Sequence, residues 1–170
     1  MIIGHGDIAK VLNDTMRVHT QDFIFFASGV SNSQETRESE YTREFDLLLQ
    51  QDTSKHLVYF SSLSIFYSDT RYARHKKQME EVIKSRFKHY TIIRIGNIDW
   101  GTNPHTIINF IRNKIINNEK FEVQNVFRYV VSADEFTHWI DLIPDWNCEM
   151  NIPGRRMLVK EIVKEYGYTN

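Results

Sequence analysis

The sequence has a single cysteine, Cys148, in 170 residues. That excludes an intrachain disulfide and fits a reducing compartment. Beside Trp146 and Met150, Cys148 is expected to pack rather than to act as a nucleophile. No apolar run approaches the roughly 18 residues of a membrane span. Met1-Ile2-Ile3 runs straight into Gly4, so no signal peptide is expected, and the expected location is cytoplasmic. An excess of one charge is also missing: 21 basic and 22 acidic residues leave a net charge of −1, without the basic stripe of a nucleic-acid binder. Lys and Arg gather between Arg71 and Lys88, but Glu80 and Glu81 interrupt them, which reads as a solvated helix face first and a phosphate surface second. His5, His75, His105 and His138 show no metal-ligand spacing, so no metal is expected. With no internal repeat, low-complexity tract or linker, residues 1–170 are expected to form one domain.

Aromatic residues reach 13%, too many for a disordered chain, and they fall in patterned segments. Met1 to Ile3 reads as a very short strand, followed by a glycine turn and a helix from about Asp7 to Met16, with Ile8, Val11 and Leu12 inward. Asp22 to Ala27 is continuously apolar, as in a strand covered on both faces. A polar helix from about Thr36 to Gln51 carries Tyr41, Phe45, Leu48 and Leu49 on one stripe. His56 to Phe60 predicts a third strand ending at Ser61-Ser62, and Arg71 to Arg86 a helix. Tyr90 to Ile95 predicts a fourth strand, His105 to Asn117 a helix, and Phe127 to Val131 a fifth strand. Helices are expected near Asp134–Leu142 and Leu158–Tyr166. Such alternation predicts an α/β, Rossmann-like three-layer fold with a mainly parallel sheet. Right-handed crossovers then gather the loops after the strands along one edge. Those loops are Gly4–Asp7, Ser28–Asn32, Ser61–Ser64 and Gly96–Gly101.

The chemistry-bearing residues fall in or just after these loops. Gly4-His5-Gly6-Asp7-Ile8-Ala9 forms a Gly-x-Gly-x-x-Ala turn, whose backbone can approach a pyrophosphate at a helix start. The plainer reading is an ordinary strand-to-helix turn, with Asp7 capping its own helix. Tyr72 and Lys76 lie one helical turn apart on one face. A phenol with a pKa near 10 is a poor acid–base group at neutral pH, and a nearby ammonium favours the phenolate. Ser62, at the end of the preceding strand, is suited to hold a substrate oxygen while Tyr72 moves the proton.

In this order the segments resemble a shortened member of the extended short-chain dehydrogenase/reductase family, in its nucleotide-sugar epimerase and dehydratase branch. Gly4 to Ala9 resembles the glycine-rich turn, with Ala9 in the last glycine's place. Phe23 to Ser28 resembles the strand whose loop lies beside the nicotinamide. Val58 to Phe66 resembles the active-site strand, with Ser62 at the catalytic Ser/Thr. Tyr72-Ala73-Arg74-His75-Lys76 resembles the Tyr-x-x-x-Lys helix, and Ile92 to Gly101 the segment near nicotinamide and substrate, with Ile95 in place of its proline. Phe127 to Asp134 and Met150 to Gly154 resemble later segments. The family carries an arginine where Phe127 stands. Arg128 is its neighbour, and a one-residue step along a strand turns a side chain to the opposite face.

The resemblance implies an NAD(P)-dependent oxidoreductase or epimerase acting on a carbonyl or secondary alcohol, with nucleotide-sugars among the substrates it implies. Ser62, Tyr72 and Lys76 would be catalytic, and Gly4, Gly6, Ala9, Ser28 and Asn97 would bind NAD or NADP. It also implies a homodimer through the helices near 36–51 and 71–86. Two strands and a helix of the adenosine half-site have no counterpart between Lys10 and Gln21. The competing expectation is therefore a non-catalytic binding or interaction module that has lost the dinucleotide.

Overall fold

The computed structural model describes residues 1–15 and 22–168. Its centre is a five-stranded, wholly parallel sheet in the order β1-β2-β3-β4-β7. The strands are β1 Ile2–Ile3, β2 Phe23–Phe26, β3 His56–Ser62, β4 His89–Ile95 and β7 Cys148–Ile152. The helices are α1 Asp7–Leu12, α2 Glu38–Leu49, α3 Arg71–Arg86, α4 Ile107–Ile116, α5 Ala133–Asp141 and α6 Val159–Tyr166. The expectation that the first helix reaches Met16 lies in part outside the described residues, as does the connector from 17 to 21.

Alternation along the strands makes the three layers. Phe23, Phe25, Val58, Phe60 and Ile93 face one side, where Leu12 of α1 and Phe136 and Ile140 of α5 cover them. Ile24, Phe26, Leu57, Tyr59 and Ile92 face the other, against Leu48 of α2 and Met79 and Ile83 of α3. Successive side chains of a strand point to opposite faces, so a continuous apolar run supplies both cores. β1 is the end strand. It is only two residues long, and its neighbour Met1 is 54% exposed.

A second, three-stranded sheet joins β5 Asn97–Ile98, β6 Phe127–Val131 and β8 Arg155–Leu158, in the order β5-β6-β8. β6 pairs parallel to β5 and antiparallel to β8. Val130 and Met157 pack there on Ile108 and Ile111 of α4 and Ile162 of α6. β5, β7 and β8 are additions to the sequence-based assignment. β7 reads Cys-Glu-Met-Asn-Ile and exposes every second side chain at first, so it lacks the apolar continuity that marks β2 and β3. Cys148 is half-buried at its start and Met150 packs on the core, whereas Trp146 is 71% exposed. No helix among the described residues is long and apolar enough to cross a membrane.

Candidate functional site

The carboxyl ends of β1 to β4 open into one cavity of about 1030 Å³. Its position follows the rule for open α/β sheets, whose ligands sit beyond the carboxyl ends of the strands. Gly6, Ser28, Ser62, Tyr72 and Asn97 line it. Three further residues expected at the site, Gly4, Ala9 and Lys76, lie outside its lining.

Each lining residue is fixed by local structure. Ser62 ends β3 and caps the short 3-10 helix Leu63–Phe66, its Oγ accepting from Ser64 N at 3.1 Å. Tyr72 stands in the first turn of α3, where Thr70 caps the helix by accepting from Ala73 N at 3.2 Å. Asn97 donates from Nδ2 to Tyr129 O at 2.9 Å, tying β5 to β6. Arg43 of α2 donates to Ser28 O at 3.1 Å and to Ser28 Oγ at 3.2 Å, fixing the loop after β2.

The glycine turn divides its work. Gly4 has φ +120°, and a Cβ there would come within 2.5 Å of Ala27 O, so only glycine lets β1 end against the loop after β2. Nothing lies within 4 Å of a Cβ built on Gly6, which leaves its backbone open to the cavity. Ala9 is buried in α1. Asp7 does not cap its own helix. Gly6 is the N-cap, and Asp7 Oδ2 accepts from Asn103 N at 2.9 Å, linking the turn to the loop after β5.

Lys76 departs most from the sequence-based picture. Its side chain is 2% exposed and its Nζ donates to Glu44 Oε1 at 2.9 Å and to Tyr59 OH at 3.1 Å. The fully buried Glu44 carboxylate also accepts from Tyr59 OH at 2.7 Å, Val30 N at 2.7 Å and His75 Nε2 at 3.0 Å. Facing a carboxylate, His75 Nε2 is assigned the proton. Burial raises the Glu44 carboxyl, but Lys76, His75 and the Val30 N–H outweigh it and hold it well below the usual carboxylate range. Burial likewise lowers the Lys76 ammonium, and Glu44 reverses the sign, leaving it raised. The Tyr59 hydroxyl is pushed well above its ordinary value, first by burial and then by Glu44.

Sequence reasoning missed Glu44, Tyr59 and His75 as one polar cluster. The signal was present: residues 41, 44 and 48 share a helix face, so Glu44 lies within the apolar stripe of α2. It also missed Ser64, whose Oγ is buried without a hydrogen-bond partner and whose residue lines the cavity. Arg128 lines the cavity too, while Phe127 is 44% exposed beneath the Arg156 guanidinium, 3.5 Å from its ring centre. The arginine one step along the strand is thus the one that reaches the site. Lys10, Arg43 and Arg128 border the cavity against the single carboxylate of Asp7, a balance suited to an anionic ligand. No group of three or more His, Cys, Asp or Glu among the described residues could hold a metal ion.

No protein-family model and no curated protein matches the sequence. Solved structures do match its fold. A UDP-N-acetylglucosamine 4-epimerase from Methanobrevibacter ruminantium is 15% identical with a TM-score of 0.62, over 90% of this chain and 63% of its own. The enzyme WbmG of Bordetella bronchiseptica, in complex with NAD and UDP, is 12% identical with a TM-score of 0.63, over 95% of this chain and 61% of its own. A UDP-glucose 4-epimerase from Thermotoga maritima is 15% identical with a TM-score of 0.65, over 96% and 67%. The chain therefore spans about three fifths of the length of such enzymes, and over that length it has the fold of the extended short-chain dehydrogenase/reductase nucleotide-sugar epimerases.

Proposed function

We propose that this chain is a short-chain dehydrogenase/reductase-like domain that binds an anionic nucleotide ligand and acts as an NAD(P)-dependent epimerase or oxidoreductase. Its substrate would be a carbonyl or secondary alcohol, in the first instance on a nucleotide-sugar. The observation that carries the reading is the meeting of Ser62, Tyr72 and Asn97 with the open Gly6 backbone in one cation-bordered cavity.

The residues fit one half of a dinucleotide better than the other. The open Gly6 backbone, the Ser28 loop and the unpartnered Ser64 hydroxyl suit a nicotinamide, its ribose and a pyrophosphate. On the adenosine side β1 is the last strand among the described residues, so the fit there is poor. When bound, the nicotinamide ring supplies the hydride chemistry. The protein's part is to orient the substrate carbon, to hold its oxygen through the Ser62 hydroxyl and to exchange that oxygen's proton with the Tyr72 hydroxyl. Arg128 is suited to a ligand phosphate.

A second reading, a binding module without turnover, draws support from the Lys76–Glu44 pair, because the ammonium that would assist Tyr72 is engaged elsewhere. Calorimetric titration with NAD+, NADH, NADP+, NADPH and UDP-glucose separates the readings when combined with NMR of a UDP-sugar incubated with protein and dinucleotide. Micromolar dinucleotide binding with turnover lost in Tyr72→Phe supports the enzyme. UDP-glucose binding without turnover supports the module. Absence of binding by all five at millimolar concentration overturns both.

A further inference from the structure

The Tyr-x-x-x-Lys spacing brings a lysine to the correct turn of α3, yet its amine is held by Glu44 and does not line the cavity. Lys76 Nζ is 5.7 Å from the centre of the Tyr72 ring, and its two described hydrogen bonds go to Glu44 and Tyr59. Gly29 lines the cavity, and a Cβ built there would come within 2.6 Å of Lys76 Nζ and 3.0 Å of Glu44 Oε1. The ammonium and the carboxylate thus lie directly beneath the backbone of the loop that forms the cavity rim. From the same carboxylate, Oε2 accepts the Val30 N–H at 2.7 Å. One buried side chain therefore both engages the lysine and anchors the rim.

We propose that Glu44 diverts Lys76 from the cavity into the fold, and that the resulting ion pair positions the Ser28–Val30 rim from below. Lys76 is then not a ligand contact, and the ribose and phosphates of any bound nucleotide are met by the rim and by Arg43 and Arg128. Two arguments support this. A carboxylate in an apolar helix stripe is tolerated only when its charge is paired and its lone pairs are used, and here four donors converge on it. Turning Lys76 toward the cavity would leave the Glu44 charge buried without its cation, so moving the lysine is strongly opposed. The inference rests on the cavity being the nucleotide site only for its statement about ligand contacts. Its statement about the rim does not depend on that reading.

Amine acylation of the native protein, read by mass spectrometry, tests the diversion without any ligand. The exposed Lys77 and Lys88 are expected to react while Lys76 stays unmodified. Reaction of Lys76 at the rate of Lys77 overturns the proposal. Amide exchange tests the positioning: in Glu44→Gln, exchange at Val30 is expected to quicken at least tenfold while that at Ile92 and Ile93 in β4 is unchanged. Unchanged exchange at Val30 overturns it. The paired variant Glu44→Gln/Lys76→Met, which removes both charges and frees the rim, is expected to bind UDP and NAD+ more weakly than the parent and within about threefold of Glu44→Gln alone. A further tenfold or greater loss relative to Glu44→Gln, with an unchanged circular dichroism spectrum, would make Lys76 a ligand contact and overturn the diversion. If the parent binds neither nucleotide, the nucleotide reading falls, while acylation and exchange still decide the role of Glu44. If the variants fail to fold, acylation of the parent protein decides it alone.

Discussion

Lys76 donates to Glu44 at 2.9 Å, beneath the cavity whose wall includes Tyr72, the residue one helical turn before it. The pair joins α2 to α3 and, through Tyr59 and Val30, joins both helices to β3 and the loop after β2. Its consequences for stability follow from the general behaviour of buried charges.

Removing one partner leaves the other charged and unmatched, which destabilises by about 3–5 kcal/mol. Glu44→Gln and Lys76→Met are therefore each expected to lower the urea midpoint steeply. Glu44→Gln/Lys76→Met is expected to recover most of the loss, because well-packed neutral residues often replace a buried pair without penalty. Equilibrium unfolding of parent, single and paired variants checks both statements. Additive losses in the double variant would mean that the two side chains do not act as a pair.

The same carboxylate sets an acid limit. Glu44 is depressed in the folded protein from its ordinary value of 4.5. The folded state thus binds fewer protons at this site than the unfolded state, and stability rises with pH across the window. Glu44 contributes fully above the unfolded value, and its contribution is lost progressively as pH falls from about 4.5 toward the lower folded value. Unfolding curves between about pH 5 and pH 2 are expected to show a shallower acid decline in Glu44→Gln/Lys76→Met than in the parent. Parallel declines would assign the acid sensitivity to other carboxylates.

Much of the fold was legible because period and length agreed. Phe23–Phe26, His56–Ser62, Arg71–Arg86 and Phe127–Val131 each combine a clear apolar pattern with a turn or cap at the end. The second sheet was less visible. Asn97–Ile98 is too short to show a period, and Arg155–Leu158 carries two exposed arginines. At the site, the sequence named Ser62, Tyr72 and Asn97 on one cavity but not the fate of Lys76. That fate depends on Glu44, 32 residues earlier, and such a partnership is set by how α2 and α3 pack on the sheet. Arg128 was read as turned away by counting residues from a family position. The strand's actual pairing, with Arg128 opposite Met157, decides its direction instead.

Gly4 is expected to tolerate no side chain. Its φ of +120° lies where L-residues are rarely found, and a Cβ would meet Ala27 O at 2.5 Å. Strain of this kind destabilises by about 1–3 kcal/mol, and the collision with backbone adds to it. Gly6→Ala, with open space at the same turn, is expected to leave stability within about 0.5 kcal/mol, the usual range for surface changes. Comparable thermal midpoints for the two variants would show that β1 does not need its close approach to the loop after β2.

The surface of α2 and α3 bears on self-association. Their exposed side chains are Glu38, Ser39, Thr42, Arg43 and Asp46 on one helix and Arg74, Lys77, Gln78, Glu81, Ser85 and Arg86 on the other. None of the exposed large apolar side chains lies on either helix. A dimer across this face, as the family resemblance implies, would be held by charged pairs of mixed sign rather than by apolar burial. Exposed pairs contribute little individually, and salt screens them. Light scattering at micromolar concentration is therefore expected to find a dimer at about 20 mM salt that dissociates toward 500 mM, where the Debye length is only about 4 Å. A monomer at both salt concentrations would exclude association through these helices. A dimer that resists salt would place the interface on an apolar surface instead, such as the one carrying Phe110 and Ile116.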